Sequence, residues 1–114
     1  MKLFDWFHIR FSSGGKALSL YRRGMARARK HDHQRAIDDY TAMIAMPNAP
    51  TDVKAMALYN RALAHVAAGD DRTGILDLDA VLAMDESPVN VITMARQKLA
   101  RMESRAAKGP SPKG

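Results

Sequence analysis

The side chains able to do chemistry are few, and their spacing argues against catalysis. His31 and His33 stand at i, i+2, which puts them on different sides of a helix, and no third ligand lies near them in sequence. They read as a solvated turn, not a metal site. His65 falls inside an apolar helical stretch and reads as packed. The paired carboxylates Asp38–Asp39, Asp70–Asp71 and Asp77/Asp79 read as helix starts and solvent faces, where a helix dipole favours an acid without any reaction to serve. With no Cys there is no thiolate nucleophile, thiolate metal ligand or disulfide. No Gly-rich phosphate loop or nucleophile elbow is present. The expectation is a non-enzymatic chain with no catalytic residue, metal or cofactor.

The elements that must position any binding site follow from composition and periodicity. A chain of 114 residues makes one domain, long enough for a modest core. No apolar run approaches the roughly 20 residues of a membrane span. The first residues do not read as a secretory signal, because Asp5, His8 and Arg10 interrupt the apolar stretch. The lack of Cys suits a reducing compartment, so the expected location is cytoplasmic, with a peripheral membrane seat as the alternative. The net charge of +6 is unevenly spread. Residues 1–35 carry nine Lys/Arg against two acids, residues 36–86 three against nine, and residues 87–114 six against one. A uniformly basic nucleic-acid binder needs no acidic middle. The layout reads as cationic helices complemented by anionic neighbours.

The sequence superposes on itself when Ala17 is laid over Ala55. In that register Leu20 meets Leu58, Tyr21 meets Tyr59 and Arg23 meets Arg61; further on, Asp32 meets Asp70, Asp39 meets Asp77 and Met46 meets Met84. The same offset continues into a third, partial copy, where Pro50 meets Pro88 and Ala57 meets Ala95. Each unit reads as two helices. The first carries a helical stripe of Ala17, Leu20, Tyr21, Gly24, Met25 and Ala28, and the second puts Ile37, Tyr40, Met43 and Ile44 on one face. Asp32 and one of Asp70 or Asp71 are expected N-caps, Gly69 a C-terminal stop, Pro50 a first-turn residue and Ser87 the cap of the last helix. The expected organisation is repeats over 17–46 and 50–84, a capping helix over 87–105, and a disordered Pro/Gly-rich tail over 106–114.

This pattern resembles the tetratricopeptide repeat family over about residues 17–105. The residues that carry it are Leu20, Gly24, Ala36 and Tyr40, then Leu58, the run YNRALAH (59–65), Gly69, Asp70 and Leu78. The family's helix-packing small position is Gly24 and then Ala62, and its second-helix Ala position is Ala36 and then Gly74. The chain departs from the family in a longer loop between units, in His31 where a turn Gly is usual, and in Glu86 where a Pro ends the unit. The resemblance implies an all-α fold, a right-handed superhelical stack of antiparallel helical hairpins with two repeats and a C-terminal capping helix. It also implies a concave groove lined by first helices that holds a protein or peptide. Asn60 matches the Asn of the family's carboxylate clamp in a middle repeat, but Tyr21 and Met25 stand at the clamp's Lys and Asn positions, so the clamp is incomplete.

The residues themselves point to a looser groove. Arg22, Asn60 and Lys98 recur at one position of three first helices, with Tyr21 and Tyr59 beside them. Tyr and Arg anchor interfaces more than most side chains do, and a cationic row beside rings suits an acidic peptide. The amide of Asn60 can hydrogen-bond a peptide backbone in both senses. The expected function is a protein–protein interaction module, a scaffold or adaptor. The alternatives are a membrane-associated adaptor and, less favoured, an RNA-binding repeat: the basic run over residues 22–30 has no interleaved base-stacking aromatic. Basic ends and an acidic middle also permit self-association.

Every Phe and the only Trp of the chain lie in residues 1–11. Phe4, Phe7 and Phe11 fall at helical spacing, with Trp6 off the stripe. The segment reads as a cover on the first hairpin, or as a membrane contact, joined through a Ser/Gly hinge over residues 12–16.

Overall fold

The computed structural model describes residues 13–109, which form five α-helices: α1 (Ser13–Arg29), α2 (His33–Ile44), α3 (Thr51–Ala67), α4 (Asp71–Ala83) and α5 (Val89–Ala107). The sequence repeat governs the boundaries. The offset that separates the starts of α1 and α3 also separates those of α3 and α5, and those of α2 and α4.

Each turn inside a hairpin is built the same way. In the first, the His31 amide donates to the Ala28 carbonyl and the Asp32 amide to that of Arg27, both at 2.9 Å. In the second, the Gly69 amide donates to Val66 and the Asp70 amide to His65, at 3.0 and 2.8 Å. This pair of hydrogen bonds is a Schellman turn, which satisfies the last carbonyls of the helix and needs a left-handed residue at its centre. Gly69 holds that place at φ +91°, and His31 at φ +62°. The Asp that follows then caps the next helix: Asp32 accepts from the Arg35 amide and Asp70 from that of Thr73. Burial plays no part in lowering the Asp70 carboxyl below its ordinary pKa; the hydrogen bonds from Thr73 do so.

Several expected boundaries move. α1 starts at Ser13, so residues 13–16 are helical and do not form a hinge. Ser and Gly are tolerated there because the first-turn amides have no intrahelical partner to lose. Pro50 and Pro88 are both N-caps at φ −58° and −59°, one place before the first turn. Ser87 does not cap α5. Its buried Oγ donates to the Val81 carbonyl at 2.7 Å and so pins the α4–α5 loop to the end of α4. At the far end α5 runs to Ala107, taking in two residues expected in the tail.

Packing is sequential. α1 lies against α2, α2 against α3, α3 against α4 and α4 against α5. The first helices of successive units also touch, α1 to α3 and α3 to α5, while α2 and α4 do not approach each other. Two cores result. One gathers Ala17, Ala36, Tyr40, Met43 and Ala57, the other Ala55, Leu58, Ala62, Leu78, Val81, Val91, Ala95 and Met102. Neither belongs to a single hairpin: Ala57 of α3 completes the first and Val91 of α5 the second. No hairpin of this size buries its stripes alone, which is why the units stack.

Small residues set the helix separation. A Cβ on Gly24 would meet the Tyr40 ring at 2.6 Å, and one on Gly74 would meet Val66 Cγ2 at 2.6 Å. The first unit places its Gly on the first helix, and the second places it on the second helix, at the repeat position held by Ala36.

Candidate functional site

The starts of α1, α3 and α5 enclose an open groove of about 270 Å3, lined by Leu18 and Tyr21 of α1, Asp52, Val53 and Met56 of α3, and Pro88, Asn90 and Val91 beside or within α5. The lining follows the repeat. Leu18 and Met56 are equivalent positions, as are Asp52 and Asn90, and Val53 and Val91. The three helices begin in register, so like positions converge along one wall.

Of the expected row, Tyr21 and Asn60 are brought into direct contact. Asn60 Nδ2 donates to the Tyr21 hydroxyl at 2.9 Å and to the Met56 carbonyl at 3.0 Å. Both amide hydrogens are thereby engaged, so this side chain cannot grip a peptide backbone in both senses; only Oδ1 is left to accept. Burial pushes the Tyr21 hydroxyl above its usual pKa, with the Asn60 bond opposing. Arg22 is exposed and Lys98 half-buried. They stand one turn beyond Leu18 and Met94, so each helix presents an apolar side chain first and a polar or cationic one a turn later. Tyr59 is half-buried and packs against the core around Leu58 and Leu78. Phe4, Trp6, Phe7 and Phe11 lie outside the described residues.

Two of the carboxylates read as solvent-facing are buried. Asp39 accepts from Arg23 Nε (3.1 Å) and Nη2 (2.8 Å) and from Arg27 Nη1 (3.0 Å). Asp77 accepts from Arg61 Nε (2.8 Å) and Nη2 (2.7 Å). The first fork joins the cationic α1 to α2, the complement that the charge layout suggested, and the second joins Arg61, one of three cations in the acidic middle, to α4. Asp38 and Asp79 remain exposed. The signal for the forks lay in the repeat, since the pair Arg23 and Asp39 returns as Arg61 and Asp77, where a solvated charge has no reason to keep register.

The His31 and His33 rings meet edge to face, 6.0 Å between centres. His65 Nδ1 is 3.9 Å from Asp70 Oδ2. Among the described residues no three His, Cys, Asp or Glu side chains gather as a metal would require, and no helix is long and apolar enough to cross a membrane. What the wall offers chemically is an apolar trough with Asp52 and Asn90 at its edge and polar groups one turn further on.

Sequence reasoning named Tyr21 but missed Leu18, Asp52, Val53, Met56, Asn90 and Val91. The signal was the pairing of those positions by the repeat; what it lacked was the knowledge that these starts converge. No family model, curated protein or solved structure matches the chain.

Proposed function

We propose that this chain is a tetratricopeptide-repeat-like interaction module. On this reading the hairpins wind as a right-handed superhelix with the first helices inside, and the wall they form holds a segment of a partner protein. The observation that carries it is the groove itself: three helices drawn from three successive repeat units contribute equivalent residues to one trough. The contacts of α1 with α3 and of α3 with α5, with none between α2 and α4, support winding toward the first-helix side. The volume is below the roughly 300–1,000 Å3 of a drug-sized site, which suits a few side chains of a peptide.

The partner that fits has apolar side chains for Leu18, Val53, Met56 and Val91 and an acidic group one turn away for Arg22 and Lys98. The test is affinity capture from the protein's own cells, comparing the native chain with Leu18→Glu and Arg22→Glu. Leu18 belongs to neither core and Arg22 is exposed, so both variants keep the fold. Loss of a specific partner at unchanged helicity supports the groove. The same partners captured at equal yield by both variants would remove it from consideration.

A further inference from the structure

We infer that the partner segment held by the wall is acidic and lies along α3, its apolar residues in the trough and its carboxylates further on, between two cationic rows supplied by α1 and α5. The inference rests on the groove reading above and adds the chemistry and direction of the occupant. Three observations carry it.

The first is register. Beyond the trough each first helix continues in a stripe spaced i, i+4, i+7, i+11, which keeps to one face. From Leu18, α1 carries Arg22, Met25 and Arg29. From Met94, α5 carries Lys98, Arg101 and Arg105. From Met56, the α3 stripe is Asn60, Leu63 and Ala67, with no charge. Leu18 and Met56 line the trough, and Val91 lines it three residues before Met94. α3 touches both α1 and α5, which do not touch each other, so a neutral strip lies between two cationic rows.

The second is the absence of a counter-charge. α1 has no Asp or Glu, and none stands on the other two stripes. Arg22, Arg29, Arg101 and Arg105 are exposed and Lys98 is half-buried, and among the described residues none of the five makes an ion pair. Asp52 stands at the trough itself, four residues before Met56. The wall is therefore polarised: an acid is repelled at the helix starts and attracted beyond them. Four of the five cations are Arg, whose fork takes a carboxylate on two bonds.

The third is that the scaffold does not need these charges. A cation in the last turn suits the dipole of any helix. Arg22, Lys98 and Arg101, however, stand more than a turn inside their helices, and α3 has Ala67 where α1 and α5 have Arg29 and Arg105. From Arg22 to Arg29, and from Lys98 to Arg105, is about 10 Å along the axis, the length of about three extended residues. A polypeptide supplies carboxylates and apolar side chains together. Single-stranded nucleic acid would ask the wall for stacking rings, and the stripes offer Met, Leu and Ala.

The probe is a synthetic peptide of about six residues, long enough when extended to run from Leu18 to Arg29. It has Leu at one end and Glu through the rest, is made in both orders with blocked termini and a fluorophore, and is titrated against the full chain by anisotropy. In one order or the other it should bind, and more weakly as salt is raised. Arg29→Glu and Arg101→Glu should each raise Kd about fivefold or more. Arg72→Glu on α4 and Arg96→Glu, on another side of α5, should change it by less than about twofold. If Arg101→Glu alters the circular dichroism, Arg105→Glu replaces it. Leu18→Glu should weaken this peptide more than one of Glu alone. No binding in either order, equal loss with the control reversals, dependence on one row alone, tighter binding of a single-stranded oligonucleotide or an anionic lipid vesicle, or dimers of the chain that the same two reversals dissociate would each overturn the inference. The groove reading is tested apart: a cellular partner lost with Leu18→Glu yet kept by Arg29→Glu and Arg101→Glu leaves the groove standing and removes the acidic occupant.

Discussion

Arg61 and Asp77 meet as a two-pronged fork, Nε and Nη2 at 2.8 and 2.7 Å from the two carboxylate oxygens, and Arg23 makes the same fork to Asp39 one repeat earlier. The forks are alike in geometry and unlike in surroundings. The Arg61 side chain is 20% exposed and is Asp77's only cationic partner among the described residues, while Arg23 is 58% exposed and shares Asp39 with Arg27.

Arg61→Leu should therefore destabilise far more than Arg23→Leu. The first strands a buried carboxylate, at a cost of about 3 kcal/mol. The second leaves Asp39 paired with Arg27 and removes a charge that water already screens, so its effect is small. Urea unfolding of the two variants checks the order, and equal midpoints would contradict it.

His31→Gly should stabilise. Holding a residue with a Cβ at φ +62° costs about 1–2 kcal/mol, and glycine removes that at a smaller entropic cost. The net gain is about 0.5–1 kcal/mol, read as a rise in Tm. Gly69→Ala at φ +91° should lower Tm by a similar amount.

Gly24→Ala should destabilise, although helix propensity alone favours Ala by about 1 kcal/mol. The new methyl runs into the Tyr40 ring, and overpacking costs about 1–3 kcal/mol. The second unit has Ala62 and Leu78 at the equivalent positions, so adding Tyr40→Leu should relieve the clash. A double-mutant cycle should show favourable coupling of about 1 kcal/mol or more. Additivity would mean that the two positions do not set the helix separation.

Stability should fall between pH 10 and about 12. Burial, reinforced by Tyr21 and Asp39, pushes the Tyr40 hydroxyl up to about 12, against an ordinary 10.0. Below the ordinary value both states hold the proton. Above it the unfolded chain ionises first, so folding weakens until the buried hydroxyl ionises too. The loss is about 2 kcal/mol. Tyr40→Phe should flatten this limb of the stability–pH curve, and an unaltered limb would place its cause elsewhere.

Ser87→Ala should cost about 1–2 kcal/mol by leaving the Val81 carbonyl without its buried donor. Thermal melts read this directly. A neutral result would show that the α4–α5 loop holds without that bond.

The helices, their turns and their caps were legible because each is decided within a short stretch of chain. The stripe of Leu20, Tyr21 and Ala28 needs only helical spacing, and the turn at Gly69–Asp70 only its near neighbours Val66 and His65. The repeat then announced that whatever the first unit does, the second does again. The small-residue positions Gly24 and Gly74 were marked by the resemblance to a repeat family, not by spacing alone. Ser87 went astray because Ser before Pro looks like a cap locally, and its real partner is the Val81 carbonyl, back across the α4–α5 loop.

What the sequence by itself determined is the set of helices and the fact of their repetition, since both follow from short-range spacing. Only the tertiary structure decided which carboxylates are shielded from water, that Asn60 spends its donors on Tyr21 and Met56, and that Leu18, Val53 and Val91 line one trough. Each of these depends on where side chains from different helices come to rest once the hairpins stack. That meeting is fixed by packing between helices, which no local pattern encodes.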